Sequence, residues 1–254
     1  MPLKIIHITE AWHGGIATYV NSLIKHQVNS SNFDSVYLLC DEKQTKKNFN
    51  IEIYNNKKVK VYYYKSSRNP LRILSISKKI ESLIKTILPD IIHLHSSFPG
   101  FYVRIKKFDI PIIYCSHGWS FLQESGYYKR FFFALIEQYL AKKTDMIYNI
   151  SSFEHNSAIE KGVIAKQNEI LYGGVRDVSI GNVIPDIEIN KSIINLLFIG
   201  RLDYKKGIDI LNNYIISNYN DKYKVYVIGE GGRDNFDVSK LSKYIEYLGP
   251  VEKE

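Results

Sequence analysis

Apolar residues recur along this chain in two alternating rhythms. Short β-branched runs are bounded by turn signals, and between them lie longer stretches with apolar positions three or four residues apart. Leu3 to Ile8 (LKIIHI), Ser35 to Cys40 and Val59 to Tyr64 predict strands. Ile16 to Val28 predicts a helix carrying Val20, Leu23, Ile24 and Gln27 at helical spacing. Asn69-Pro70 opens another helix, whose stripe is Ile73, Ile76, Ile80, Leu83, Ile84 and Ile87, and Pro89 closes it. Asp90 to Leu94 (DIIHL), Pro111 to Cys115 (PIIYC) and Asp145 to Ile150 (DMIYNI) fit buried strands of a parallel sheet.

The rhythm breaks after Gly173-Gly174. From Arg176 to Ser192 the chain carries Gly181, Pro185 and Asn190 without periodicity and reads as a linker. It then resumes as strand Asn195 to Ile199, helix Gly207 to Tyr219, strand Lys224 to Ile228 and strand Ile245 to Leu248. Two blocks of alternating strands and helices predict an α/β protein with two doubly wound, Rossmann-like domains, residues 1–175 and 193–254, joined by residues 176–192. Ligands of such folds sit at the carboxyl ends of the strands, which directs attention to four loops.

In His13-Gly14-Gly15-Ile16, two glycines let the backbone approach an anion beside a helix N-terminus, which suits a diphosphate. The third glycine of the dinucleotide fingerprint is missing, and a glycine-softened turn explains the loop as well. Ser116-His117-Gly118 puts a histidine at a strand end, where it can bind a hydroxyl or phosphate or move a proton. His7, His93 and His95 lie in or at the ends of strands and read as structural. In Phe198 to Gly207 (FIGRLDYKKG), a strand read as buried ends in Gly200, and Arg201 and Lys206 precede a helix. That pair can clamp a diphosphate, with a pair of solvated charges as the plainer alternative. Val227 to Gly232 (VIGEGG) is the next glycine-rich loop of the same sheet and would face the same crevice.

Composition narrows the classes. The 254 residues carry a formal charge of +8, with lysine far ahead of arginine, which favours an anionic partner or a lysine-rich solvated surface. No zinc-finger spacing, RNP-like aromatic motif or basic heptad points to nucleic acid. Cys40 and Cys115 read as buried thiols of a reducing compartment. No signal peptide is seen, and no apolar run approaches the roughly 18 residues of a membrane span, so a cytoplasmic protein is expected.

Together these loops resemble family 4 of the retaining GT-B glycosyltransferases, which build bacterial polysaccharides and glycolipids. The matches run in family order: Gly14-Gly15, His117-Gly118, Ser151 after DMIYNI, Leu171 to Val175 (LYGGV), Gly200-Arg201-Leu202 with Lys206-Gly207, Val227 to Gly231 (VIGEG), and Leu248 to Val251 (LGPV). The resemblance implies a GT-B-like fold and a nucleotide-sugar donor as substrate. Gly14, Gly15, Arg201, Lys206, Gly229 and Glu230 would bind that donor. His117 would act at the reacting carbon, contacting the transferred sugar or the donor phosphate. No metal or other cofactor is expected. The N-terminal domain would bind a glycan or lipid-linked acceptor.

The pattern departs from the family at one point. The family's Glu-x7-Glu signature lies beyond the LGPV segment, and Glu252 and Glu254 have the wrong spacing for it. An incomplete second domain is therefore expected, with the non-catalytic product of a truncated glycosyltransferase gene as the competing reading. A GT-B-shaped sugar-nucleotide epimerase is a third, against which the GRL…KG loop speaks. Finally, Tyr127 to Lys143 predicts a helix with Phe132, Leu135, Ile136, Tyr139 and Leu140 as its core face. The alternative for this segment is contact with an anionic membrane through Tyr127, Tyr128, Lys129, Arg130, Phe131 and Phe133.

Overall fold

The computed structural model describes residues 1–12, 14–45, 55–174, 192–231 and 236–250. The chain forms two compact units, Met1–Arg176 and Asp177–Glu254. The stretch read as a linker lies outside the described residues except for Ser192, as do His13, Gly232, Glu252 and Glu254.

The first unit is built on seven parallel strands in the order β3-β2-β1-β4-β5-β6-β7. These are β1 (Leu3–Thr9), β2 (Phe33–Asp41), β3 (Val59–Tyr64), β4 (Ile91–His95), β5 (Ile112–Cys115), β6 (Met146–Asn149) and β7 (Gln167–Ile170). The described helices between them are α1 (Gly14–Asn29), α2 (Pro70–Ile87), α3 (Ser97–Arg104), α4 (Tyr127–Ala141) and α5 (Ser152–Glu160). The order reverses between β1 and β4, which makes their carboxyl ends the switch point of a doubly wound sheet.

Local chemistry explains the boundaries. Asn69 caps α2 by accepting from Leu71 N, Pro70 takes the first helical position where no N–H is required, and Leu88 ends the helix in a left-handed conformation. Ser151 caps α5 by accepting from Glu154 N. Alternation along β1 divides the core. Ile6 and Ile8 pack with Ile80, Ile84, Leu94 and Tyr102 on one face, and Ile5 packs with Val20, Ile24, Val36 and Leu38 under α1 on the other.

Two expectations need correction. On α4 the buried residues are Ala134, Glu137, Leu140 and Ala141. Of the predicted core stripe only Leu140 is buried; Phe132, Leu135 and Tyr139 are exposed. The physical reason is an ion pair: Glu137 turns inward to Arg104 on α3, at 2.8 Å, and fixes the helix rotation against the apolar stripe. The second correction concerns the strand before Arg201. In the second unit β8 (Ile194–Ile199), β9 (Tyr223–Ile228) and β10 (Ile245–Gly249) form a parallel sheet in the order β10-β9-β8, with α6 (Ile208–Asn218) following β8. Among the described residues β8 is an edge strand, so Ile194, Leu196, Leu197 and Ile199 are exposed and the strand is not a buried one. Leu202, Ile208, Ile215, Val225 and Val227 form the core of this unit.

Candidate functional site

The first cluster lies at the β1–β4 switch point. Parallel register sets His7 opposite His93 and Thr9 opposite His95. Since side chains alternate along a strand, His7, His93 and His95 all project to the α1 side, in step with Ile5 and Ile91. His7 and His95 are fully buried and His93 nearly so. His7 Nδ1 lies 3.1 Å from His95 Nε2, and His7 Nε2 lies 2.8 Å from Gln27 Oε1 on α1. His95 Nδ1 in turn lies 3.0 Å from His117 Nε2. A side branch joins His93 Nε2 to Tyr148 Oη at 3.0 Å, and the Tyr19 hydroxyl donates to Tyr148 at 3.2 Å. Tyr19 also stands edge-on to the His117 ring, with centroids 5.2 Å apart.

Burial decides the charge of these rings. Desolvation lowers His7 to about 4, outweighing the Gln27 hydrogen bond that raises it. His93 and His95 fall well below the ordinary histidine range, first through burial and then through the neighbouring imidazoles. Burial brings half-exposed His117 to about 4 as well. All four are neutral near pH 7. The ligand atoms of His7, His93 and His95 lie within 4.8 Å of one another, a donor set chemically suited to a transition-metal ion. In this geometry, however, His7 and His95 have both ring nitrogens engaged in hydrogen bonds.

The loop after β5 is held from both sides. Trp119 is fully buried, donates to Asn149 Oδ1 at the end of β6 at 2.8 Å, and stacks on Phe121. His117 itself has φ 51°, a left-handed conformation that is uncommon outside glycine, and Ser96 at the end of β4 has φ 75°. Neither Ser96 Oγ nor Ser116 Oγ, both buried, has a protein partner. Two strained positions and two unmatched hydroxyls, on adjacent strand ends, mark a site built for something other than stability.

Gly14 opens α1 at φ +68°, and both it and Gly15 are exposed, leaving the first backbone N–H groups of the helix open to an anion. Cys40 and Cys115 are buried free thiols, and burial pushes Cys115 up to about 12, which removes it as a nucleophile.

The second unit carries the basic loop. Asp203 is the residue that sequence reasoning passed over. Its carboxylate accepts from Arg201 Nε at 2.8 Å and from Lys206 N at 3.1 Å, capping the short 3-10 turn Tyr204–Lys206. It is buried, whereas the Arg201 and Lys206 side chains are exposed, so the carboxylate holds one cation through its side chain and the other through the backbone turn it caps. The signal was available: an aspartate three residues before the turn's last position is a capping pattern. The glycine-rich loop after β9 lies alongside. Leu202 N donates to Glu230 O at 2.8 Å, and Gly200 N to Ile228 O at 3.1 Å. Gly229 has φ +146°, and a Cβ there would collide with the Gly200 carbonyl oxygen, so only glycine fits. Arg201, Lys206, Gly229 and Glu230 thus share one strand-end surface of the second unit, as Gly14, Gly15 and His117 do in the first.

Comparisons with known proteins identify the family and the fold. The pattern of Glycosyltransferase Family 4 matches residues 13–177. An uncharacterized 41.2 kDa protein from the cps region of Klebsiella pneumoniae is 32% identical over 96% of this chain and 68% of its own length. The O-antigen biosynthesis glycosyltransferase WbnH of Escherichia coli is 28% identical over the same shares. Among solved structures, Anabaena HepE, crystallised with UDP and glucose, superposes with a TM-score of 0.70 over 98% of this chain and 70% of that one, at 14% identity. The fold is therefore the GT-B-like α/β class, and the family match covers His93, His95, His117 and the glycine loop that opens α1, while His7 precedes it. The chain belongs to Glycosyltransferase Family 4.

Proposed function

We propose that this glycosyltransferase moves a sugar, with retention of anomeric configuration, from a nucleotide-sugar donor to a glycan or lipid-linked acceptor during assembly of a cell-surface polysaccharide. The observation that carries the reading is the Arg201–Asp203–Lys206 turn, where one buried carboxylate holds the Arg201 guanidinium and caps the backbone turn that carries Lys206 at the end of a strand. Negative charge grows on the nucleoside diphosphate as the glycosidic bond breaks. Cations already held in place stabilise that charge more in the transition state than in the ground state. With two cations on the leaving group, the reaction needs no metal ion in this role. In the first unit, Gly14 and Gly15 leave backbone N–H groups open to an anion, and His117 is the group we assign to the transferred sugar. The names of the relatives support the polysaccharide setting.

Arg201→Ala and Lys206→Ala should each weaken binding of a nucleoside diphosphate by on the order of 1.5–3 kcal/mol, roughly ten- to a hundredfold. Titration calorimetry with UDP and GDP measures this directly. Unchanged affinity in both variants would remove the loop from the donor site.

We further propose that α4 rests on the anionic inner leaflet, which suits a lipid-linked acceptor. Tyr127, Tyr128, Phe131, Phe132, Leu135 and Tyr139 are exposed along it, with Lys129 and Arg130 near one end and Lys142 and Lys143 at the other. No helix among the described residues is long and apolar enough to cross a membrane, so the contact is peripheral. In flotation, the protein should rise with phosphatidylglycerol vesicles and stay behind with phosphatidylcholine alone, and Phe131→Ser with Phe132→Ser should abolish the difference. Equal recovery from both vesicle types would dismiss the membrane contact.

A further inference from the structure

The buried histidines form a directed chain with a defined beginning and end. It begins at Gln27 on α1, which is buried. The amide oxygen of Gln27 faces His7 Nε2 at 2.8 Å, and an amide oxygen can only accept. His7 is neutral, so a proton on Nε2 leaves Nδ1 bare. That lone pair faces His95 Nε2 at 3.1 Å and accepts from it. His95 then carries its single proton on Nε2, and its bare Nδ1 accepts from His117 Nε2 at 3.0 Å. Each imidazole has one proton to give, so one acceptor at the start orders every ring that follows.

We propose that Gln27, through His7 and His95, fixes His117 as the Nε2–H tautomer and so presents a bare Nδ1 to the substrate. Gln27 is a positioning residue, and His7 and His95 transmit its orientation. The functional consequence rests on His117 meeting the donor, as proposed above. An Nδ1 lone pair accepts a hydrogen bond from a sugar hydroxyl. It repels a phosphate oxygen, which has no proton to offer. The chain therefore suits His117 to a hydroxyl of the transferred sugar rather than to a phosphate oxygen. A reversed Gln27 amide would flip every ring and make Nδ1 a donor suited to phosphate, so one side chain 90 residues away in sequence decides between the two ligand chemistries.

The left-handed backbone at His117 fits this reading. With φ at 51° the residue holds an unfavourable conformation, and the ring is tied to His95 while Trp119 anchors the loop beyond it. The ring's orientation is thus enforced from two directions. The chain also competes with a metal, because an ion bound by His7 and His95 would need the lone pairs that the neighbouring N–H groups occupy.

The test is ¹⁵N-resolved imidazole NMR on the histidine-labelled full chain at neutral pH without donor. His117→Ala identifies the His117 signals by their loss. The wild-type protein should show His117 with Nε2 protonated and Nδ1 bare. Gln27→Met keeps the side-chain length but removes the acceptor, and should turn the single His117 tautomer into a mixture. A proton on His117 Nδ1 in the wild type overturns the chain, as does a His117 spectrum unmoved by Gln27→Met in a folded protein. Should Gln27→Met fail to fold, the wild-type spectrum decides alone. Because the spectrum is read without donor, a disordered wild-type tautomer overturns the chain even where transfer is intact. An ordered tautomer combined with undiminished transfer by His117→Ala overturns the role given to His117 and its sugar-reading consequence.

Discussion

Lowering the pH from 7 to 5 should cost the first unit about 2 kcal/mol of stability through His7, with His93 and His95 adding in the same direction, a sizeable share of the 5–15 kcal/mol that typical domains possess. The sign follows from the three fully desolvated histidines. In the unfolded chain each titrates near its ordinary value of about 6.5. In the folded unit burial holds His7 down to about 4, and His93 and His95 well below the ordinary range. Between these limits the unfolded state binds more protons, so acid favours unfolding. The stabilisation is complete above about 6.5 and is lost as pH falls, through about 4 for His7 and through the depressed range of the other two. His7 contributes about 1.4 kcal/mol per pH unit in that window. No carboxylate is among the groups that shift these rings, and the Gln27 hydrogen bond offsets only part of the cost of charging His7. His117 adds less, because its partly exposed ring is screened by solvent. Most carboxylates titrate below pH 5, which leaves the window to the histidines. Urea unfolding followed by circular dichroism at pH 7, 6 and 5 measures the effect. A midpoint that does not move between pH 7 and 5 would show that the cluster is hydrated or charged in the folded protein.

How much of this was legible in the sequence depends on the range of the interaction. Elements set by local chemistry were readable. The helix opened by Asn69-Pro70 begins there because the cap and the proline act within one turn, and Val59 to Tyr64 is a strand because its residues suit nothing else as well. The Arg201 loop was readable for the same reason, since strand end, glycine, cations and helix start are neighbours in the chain. The histidine chain was not. His7 and His95 are 88 residues apart, and only the parallel register of β1 against β4 brings them within 3.1 Å. One clue was present: His93 and His95 are two residues apart, so they share a face of their strand. Taken singly, each looked like a structural histidine, and their buried positions agree with that. What a single position could not show is that buried histidines in contact must choose tautomers together.

The rotation of α4 failed for a related reason. An apolar stripe at helical spacing ordinarily marks the core side. Here the helix buries a glutamate and exposes phenylalanines. The partner that makes this affordable, Arg104, is 33 residues away and on another helix. A periodicity argument ranks faces by hydrophobicity alone. It has no means of counting a charge that arrives from elsewhere.

Removing either partner of that pair should cost about 3–5 kcal/mol of stability. Arg104 is fully buried, and its Nη2 lies 2.8 Å from Glu137 Oε2. Its Nε donates to Gly100 O at 2.9 Å, and the guanidinium lies 3.7 Å above the Tyr114 ring, whose hydroxyl donates to Glu137 Oε1 at 3.3 Å. Gly100 leaves room for this stack: a Cβ there would come within 2.6 Å of the Tyr114 ring and 2.9 Å of Arg104 Nη2. In Glu137→Leu the guanidinium stays buried without its counter-ion, beneath a helix that now prefers to turn its apolar stripe inward. In Arg104→Met the carboxylate is stranded instead. For a unit of this size either loss lowers the melting temperature by on the order of 10 °C. The double variant Arg104→Met with Glu137→Leu should recover most of the loss, because two apolar side chains of similar volume need no partner. The cycle of four proteins separates the two explanations. Strong recovery in the double variant identifies the stranded charge as the cost. Additive losses would mean that the packing around Tyr114 and Gly100, rather than the ion pair, holds α4 in its unexpected rotation.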